Sequence, residues 1–195
     1  FQRSVNAMTR ATLRAGTQAV QQAVKKAVKK AVKKAVEKAV TAAVRQAARH
    51  DRPPAGPGSW IGGLAFGPAG ARRYQLYKPP GLRRGERRPM LVMLHGCGQD
   101  AFSFAHGSRM GRIAARERAF VLWPEQERSA HPQGCWNWFS TQAGLAQAEV
   151  DTLMEAITQV CQHHPIDAGR IAAAGFSAGA SMAALLVSSH PDRFR

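Results

Sequence analysis

Acidic residues are scarce in this chain: 12 Asp and Glu stand against 28 Lys and Arg over 195 residues, for a net charge of +16. Such a balance ordinarily points to a nucleic-acid, phosphate or anionic-membrane partner. Many of the lysines, however, sit in one block from Lys25 to Lys38, so the charge describes an appendage more than the body. Cysteine is nearly absent. Cys97, Cys135 and Cys161 are too few and too widely spaced for a CxxC-type zinc site or a disulfide framework, and one bridge with one leftover thiol stays open. No run of about eighteen apolar residues exists, which argues against a membrane-spanning helix. The first residue is Phe1, and no charged leader, apolar core and small-residue cleavage site can be read, a silence that says nothing about export.

What is present is 45% hydrophobic content in a chain long enough for one domain with a sizeable core. Residues 17–49 hold neither Pro nor Gly and repeat a four-residue Ala-Val-Lys-Lys unit, so the spacing predicts a long basic helix. A period of four overshoots the helical 3.6, and the Ala/Val stripe winds about 40° per repeat instead of forming one straight seam. Binding to a polyanion or an anionic surface through Lys25 to Lys38 is the functional reading of this segment, and a solvated helix is the other. No aromatic residue interrupts the repeat, so base stacking is unsupported and no specific nucleic-acid binding is expected. Residues 51–59, with Pro53, Pro54, Gly56, Pro57 and Gly58, read as a linker, which divides the chain into residues 1–50, 51–59 and 60–195.

Beyond the linker the pattern alternates. Arg73 to Lys78, Met90 to Leu94, Phe120 to Trp123 and Ile171 to Ala174 read as strands; Ser108 to Arg118, Leu145 to His163 and a segment near Ser181 to Ser189 read as helices. Such alternation predicts an α/β fold with a mostly parallel sheet flanked by helices. Gly175, Phe176, Ser177, Ala178, Gly179 falls between one of these strands and the helix after it. A nucleophile elbow needs that context: a sharp strand-to-helix turn, small flanking residues and a serine raised at the end of the sheet. His95, Gly96, Cys97, Gly98 follows the first core strand, where glycines let a backbone amide turn toward such a serine. The candidate oxyanion donors are the amides of Cys97 and Ala178. His95 is a poor base, because it precedes the serine in the chain.

The strings LVMLHGCGQD, FVLWPEQ with HPQGCWNWF, and GFSAGASMAALLVSSHPDRF closely resemble the polyhydroxybutyrate (PHB) depolymerase family of esterases, related to feruloyl and acetylxylan esterases, over roughly Gly58 to Arg195. The resemblance implies the N-terminal half of an α/β-hydrolase fold. It implies a serine esterase hydrolysing carboxylic esters, most of all poly(3-hydroxybutyrate)-type polyesters or acyl esters of plant polysaccharides, through an acyl-enzyme at Ser177. It implies no metal and no organic cofactor, an extracellular or periplasmic location, and Trp136 and Trp138 near the acyl-binding cleft; a packed aromatic loop is the equal reading of the two tryptophans, and both can hold. Cys97 and Cys135 are then candidates for a disulfide tying the oxyanion loop to the aromatic loop, a pairing that suits an exported enzyme, and Cys161 reads as a free thiol. The competing expectation is a polyanion- or granule-binding protein that works through the lysine helix, with the hydrolase part non-catalytic.

One departure from the family pattern stands out. After Ser177 the chain offers only His190 and Asp192, both at the end of the helix that follows the elbow and turned away from the serine. The fold takes its acid and histidine from later strands. The expectation is therefore a C-terminally truncated hydrolase domain with negligible activity as given.

Overall fold

A computed structural model describes residues 22, 24–38 and 52–195, and the chain divides into two compact units, Phe1–Arg49 and His50–Arg195. In the first unit, residues 24–38 form helix α1, as the alanine- and lysine-rich composition predicts. Val24, Val28, Val32 and Val36 are each more than half exposed along it, and Lys33 pairs with Glu37 one turn on at 3.9 Å. The remainder of the expected helix, within 17–49, and most of the first proposed segment lie outside the described residues.

The second unit is built on a five-stranded sheet in the order β1-β2-β4-β3-β5. Its strands are β1 (Ser59–Gly67), β2 (Gly70–Lys78), β3 (Arg88–Leu94), β4 (Phe120–Pro124) and β5 (Ile166–Gly175). β4, β3 and β5 run parallel, whereas β1 and β2 form an antiparallel hairpin that adds to β4 antiparallel. The expected mixed α/β architecture is present. Helices α2 (Ala101–Ser108), α3 (Met110–Glu117), α4 (Leu145–His163) and α5 (Ala178–Ser189) cover the sheet.

The period-two geometry of the strands sorts their side chains between two cores. Phe120 and Leu122 of β4, with Met90, Val92 and Leu94 of β3, join Val150, Leu153, Ile157 and Val160 of α4 and Met182 and Leu186 of α5. Val121 and Trp123 of β4, with Met93 of β3, join Ala101, Phe104 and Ala105 of α2 and Ala114 of α3. Strands covered on both faces read as continuous apolar runs, which is why β3 and β4 stand out in the sequence.

Two elements differ from the sequence reading. β1 occupies Ser59–Gly67, where no strand is expected, because Gly62, Gly63 and Gly67 dilute its alternation. Helical structure begins earlier than Ser108: Asp100 caps α2 through Ser103, and Arg109, at φ 54°, separates α2 from α3. The residues expected to form a linker also pack against the body. Tyr77 Oη donates to the Pro57 carbonyl at 2.5 Å, and the His106 Nε2 lies 2.9 Å from the Arg52 carbonyl.

Candidate active site

Ser177 sits where β5 turns into α5, with φ 53° and ψ −125°. A non-glycine residue with positive φ outside the left-handed helical well stores about 1–3 kcal/mol of strain and persists only where its surroundings enforce it. Here the enforcement is steric. A Cβ on Gly175 would lie 2.3 Å from the Gly179 carbonyl carbon, and a Cβ on Gly179 would lie 2.2 Å from the Leu94 oxygen and 2.4 Å from the His95 oxygen. Only glycine at both positions lets α5 press against the end of β3. The Phe176 amide donates to Leu94 O at 3.1 Å, Gly179 N closes the turn onto Phe176 O at 2.9 Å, and Ala180 N begins the helix on Ser177 O at 2.8 Å. The serine is left exposed at the N-terminus of α5, whose backbone amides favour negative charge.

Beside this turn, at the carboxyl end of β3, runs the loop from His95 to Gly98. A Cβ on Gly96 would touch the Phe176 ring at 2.9 Å, so loop and elbow are in van der Waals contact. Gly96 N donates to Gln99 Oε1 at 2.8 Å and Gly98 N to Gln133 O at 2.8 Å. Among the described residues, neither the Cys97 amide nor the Ala178 amide has a protein acceptor. Cys97 is joined by a disulfide to Cys135, 38 residues on, which ties this loop to the aromatic loop. Cys161 is free, and burial pushes its thiol pKa up.

His95 is buried and fully engaged. Its Nε2 accepts from the Gln126 amide at 3.0 Å, which leaves the proton on Nδ1 to donate to Gly96 O at 2.8 Å. Burial pushes its pKa below the ordinary value, with the Gly96 contact opposing. It is a strut of the loop. His190 and Asp192 lie at and beyond the C-terminal end of α5, a helix of 12 residues and about 18 Å. Neither is brought to Ser177.

The two tryptophans part company. Trp138 is 41% exposed and stacks edge-on with the exposed Phe139 at 5.8 Å. Trp136, expected at the acyl cleft, is instead wholly buried: its Nε1 donates to His95 O at 2.9 Å, and Arg72 lies 5.5 Å over its ring. The enclosed ring supports the loop through its hydrogen bond to His95 O.

Sequence reasoning missed the polar cluster behind the loop. Arg72 of β2, Gln126 after β4, Asn137 of the aromatic loop and Glu149 of α4 are all buried. Burial pulls the Arg72 guanidinium below its usual range, with Glu149 opposing. One signal was available: Glu149 falls in the apolar stripe of α4, one position before Val150 and four before Leu153. A cleft of about 580 Å³ lies on the outer side of the cluster, lined by Gln99, Asp100, Phe102, Glu125, Gln126 and Gly134. Among the described residues, no group of three or more His, Cys, Asp or Glu is placed to hold a metal, and no helix is long and apolar enough to cross a membrane.

The family profile described as Esterase PHB depolymerase matches residues 72–195. A poly(3-hydroxyalkanoate) depolymerase C of Paucimonas lemoignei is 29% identical over 107 residues, 54% of this chain and 26% of that protein. An acetylxylan esterase of Coprinopsis cinerea is 27% identical over 122 residues, 62% of this chain and 32% of that protein. Among solved structures, the acetyl xylan esterase of Aspergillus awamori superposes with a TM-score of 0.57 at 19% identity, over 71% of this chain and 49% of that one, a likeness of fold. This chain thus spans between a quarter and a third of the length of these two curated relatives.

Proposed function

Since the chain belongs to the esterase PHB depolymerase family, we propose that Ser177 is the nucleophile of a carboxylic-ester hydrolase and that the Cys97 and Ala178 amides form its oxyanion hole. The observation that carries this reading is the enforced backbone at residue 177, φ 53° and ψ −125°, in contact with the Gly96–Cys97 loop. A histidine base takes the Ser177 Oγ proton as the oxygen attacks the ester carbonyl. The two amides hold the tetrahedral oxyanion, the base returns the proton to the departing alkoxide, and an acyl-enzyme remains. Water, deprotonated by the same base, then releases the acid and restores the serine.

Neither that base nor its acid partner is placed beside Ser177 among the described residues, and His95 is committed to the loop. The reading is therefore that residues 1–195 alone are inert, and that turnover needs an acid and a histidine from outside them. The preferred substrate is a short-chain hydroxyalkanoate polyester. Phe176, next to the serine, is 60% exposed, and Trp138 and Phe139 are exposed on the disulfide-linked loop, apolar side chains suited to a polymer of ester units. The same disulfide supports an extracellular or periplasmic location.

The test is clearance of a poly(3-hydroxybutyrate) suspension by a polypeptide in which this chain is supplied with the acid and histidine, compared with its Ser177→Ala variant and with residues 1–195 alone. Clearance lost in both is the expected result; clearance retained by Ser177→Ala contradicts the assignment. Faster release of acetate from acetylated xylan than of hydroxybutyrate from polymer would move the substrate to polysaccharide esters.

A further inference from the structure

Gln126 lies in neither the elbow nor the oxyanion loop, yet every polar group of its side chain is used. Its Nε2 donates to Cys135 O at 3.0 Å and to Glu149 Oε1; its Oε1 accepts from Arg72 Nη1 and from the Glu127 amide at 3.2 Å. Its own amide donates to His95 Nε2 at 3.0 Å. An amide offers two donors and two acceptor lone pairs, so this side chain is saturated. Glu149 extends the cluster, its Oε1 accepting from Asn137 Nδ2 at 2.8 Å and its Oε2 from Asn137 N at 3.0 Å.

These contacts converge on one loop. Through His95, Gln126 holds the segment leading into Cys97; through Cys135 O, it holds the residue to which Cys97 is covalently joined. Trp136, the next residue along, donates to His95 O and closes the ring of contacts. The Cys97 amide is thus fixed from both sides by one buried residue, 6% exposed, whose hydrogen bonds reach neither Ser177 nor the Cys97 amide itself. The members of such a network depend on one another, because each bond lost leaves a further buried polar group uncompensated, beside the Arg72 Nε and Nη2 that already have no hydrogen-bond partner. We propose, on the reading of Cys97 as an oxyanion donor, that Gln126 is the positioning residue that aims that amide, and that Glu149 and Arg72 set the orientation of the Gln126 side chain.

The polarity of the cluster makes the idea testable. Gln126→Glu preserves size but turns acceptors toward Cys135 O and Glu149, whereas adding Glu149→Gln returns a donor to the facing position and leaves the net charge of the pair unchanged. An amide displaced by about 1 Å costs on the order of a hundredfold in rate, and the oxyanion interaction is realised in the transition state, so the loss falls on kcat and spares KM. Turnover of p-nitrophenyl butyrate by the polypeptide that includes this chain is the readout. The expected result is a fall in kcat of about a hundredfold for Gln126→Glu with KM within about twofold, and recovery to within about tenfold of wild type in the double variant. If Gln126→Glu does not fold, Gln126→Asn, which keeps the amide but withdraws it by one methylene, carries the same comparison. A kcat within about twofold of wild type, or a loss confined to KM, overturns the proposal. Ser177→Ala separates the two levels: if it still turns over ester, the reading of the serine fails, and if it is silent while Gln126→Glu is fully active, only the positioning role fails.

Discussion

The elbow at Gly175–Gly179 and the loop at His95–Gly98 meet at one edge of the same sheet, but they are held in different ways. The elbow is positioned by what is missing: at Gly175 and Gly179 a single Cβ would fall within 2.3 Å of backbone atoms. The loop is positioned by what is added, a disulfide to Cys135 and a polar cluster drawn from β2, the segment after β4, the aromatic loop and α4. The elbow's glycines meet only backbone, that of the turn itself and of the end of β3 at Leu94 and His95; the cluster joins side chains from Arg72 to Glu149. One side of the site is thus held by backbone against backbone and the other by side-chain bonds, and the two should break differently.

The largest effect is expected on the tertiary side. Glu149→Ala leaves Arg72 buried without its carboxylate, and losing one partner of a buried charged pair costs about 3–5 kcal/mol; urea denaturation checks this, and a loss below about 1 kcal/mol would mean that Arg72 does not depend on Glu149. On the elbow side, Gly179→Ala drives a methyl into the Leu94 and His95 carbonyls and should cost about 3 kcal/mol, read in the same way. The sign then reverses. Ser177→Gly keeps the turn and removes the positive-φ strain, so unfolding free energy should rise by about 1 kcal/mol while all reaction at this position disappears. A fall in stability would show that the elbow is not strained.

The smallest effect sharpens the loop side through pH. Burial holds His95 below its ordinary pKa of 6.5 in the folded state. The folded protein then binds fewer protons than the unfolded one, so the contribution is fully present above the unfolded value and is lost as pH falls through the lowered one. Unfolding free energy should decline on mild acidification. Ring-nitrogen NMR should show Nε2 still unprotonated at pH 6.5, as its acceptance from Gln126 N requires; a half-protonated ring there contradicts the assigned role.

The same contrast explains what could be read from sequence. The elbow was legible because Gly175, Ser177 and Gly179 are contiguous and sit between an apolar strand and an apolar helix. β3 and β4 were legible as continuous apolar runs, and α4 as a periodic stripe from Leu145 to His163. β1 was not, because its glycines erase the alternation a strand shows when side chains alone define its faces. The supporting cluster was not, because the pairing of residues 72, 126, 137 and 149 exists only once the sheet order is known. Trp136 shows the same limit: the resemblance sets it near the acyl-binding cleft and its aromatic character suits a packed loop, and only the tertiary structure shows its hydrogen bond to His95 O and the cation over its ring.

The central claim is that the strained turn presents Ser177 as a nucleophile. The most direct measurement is peptide mapping by mass spectrometry after fluorophosphonate treatment of the polypeptide that includes this chain. The account predicts one adduct, on the peptide containing Gly175 to Gly179 and localised to Ser177. An adduct on another serine, with Ser177 unmodified, would contradict it.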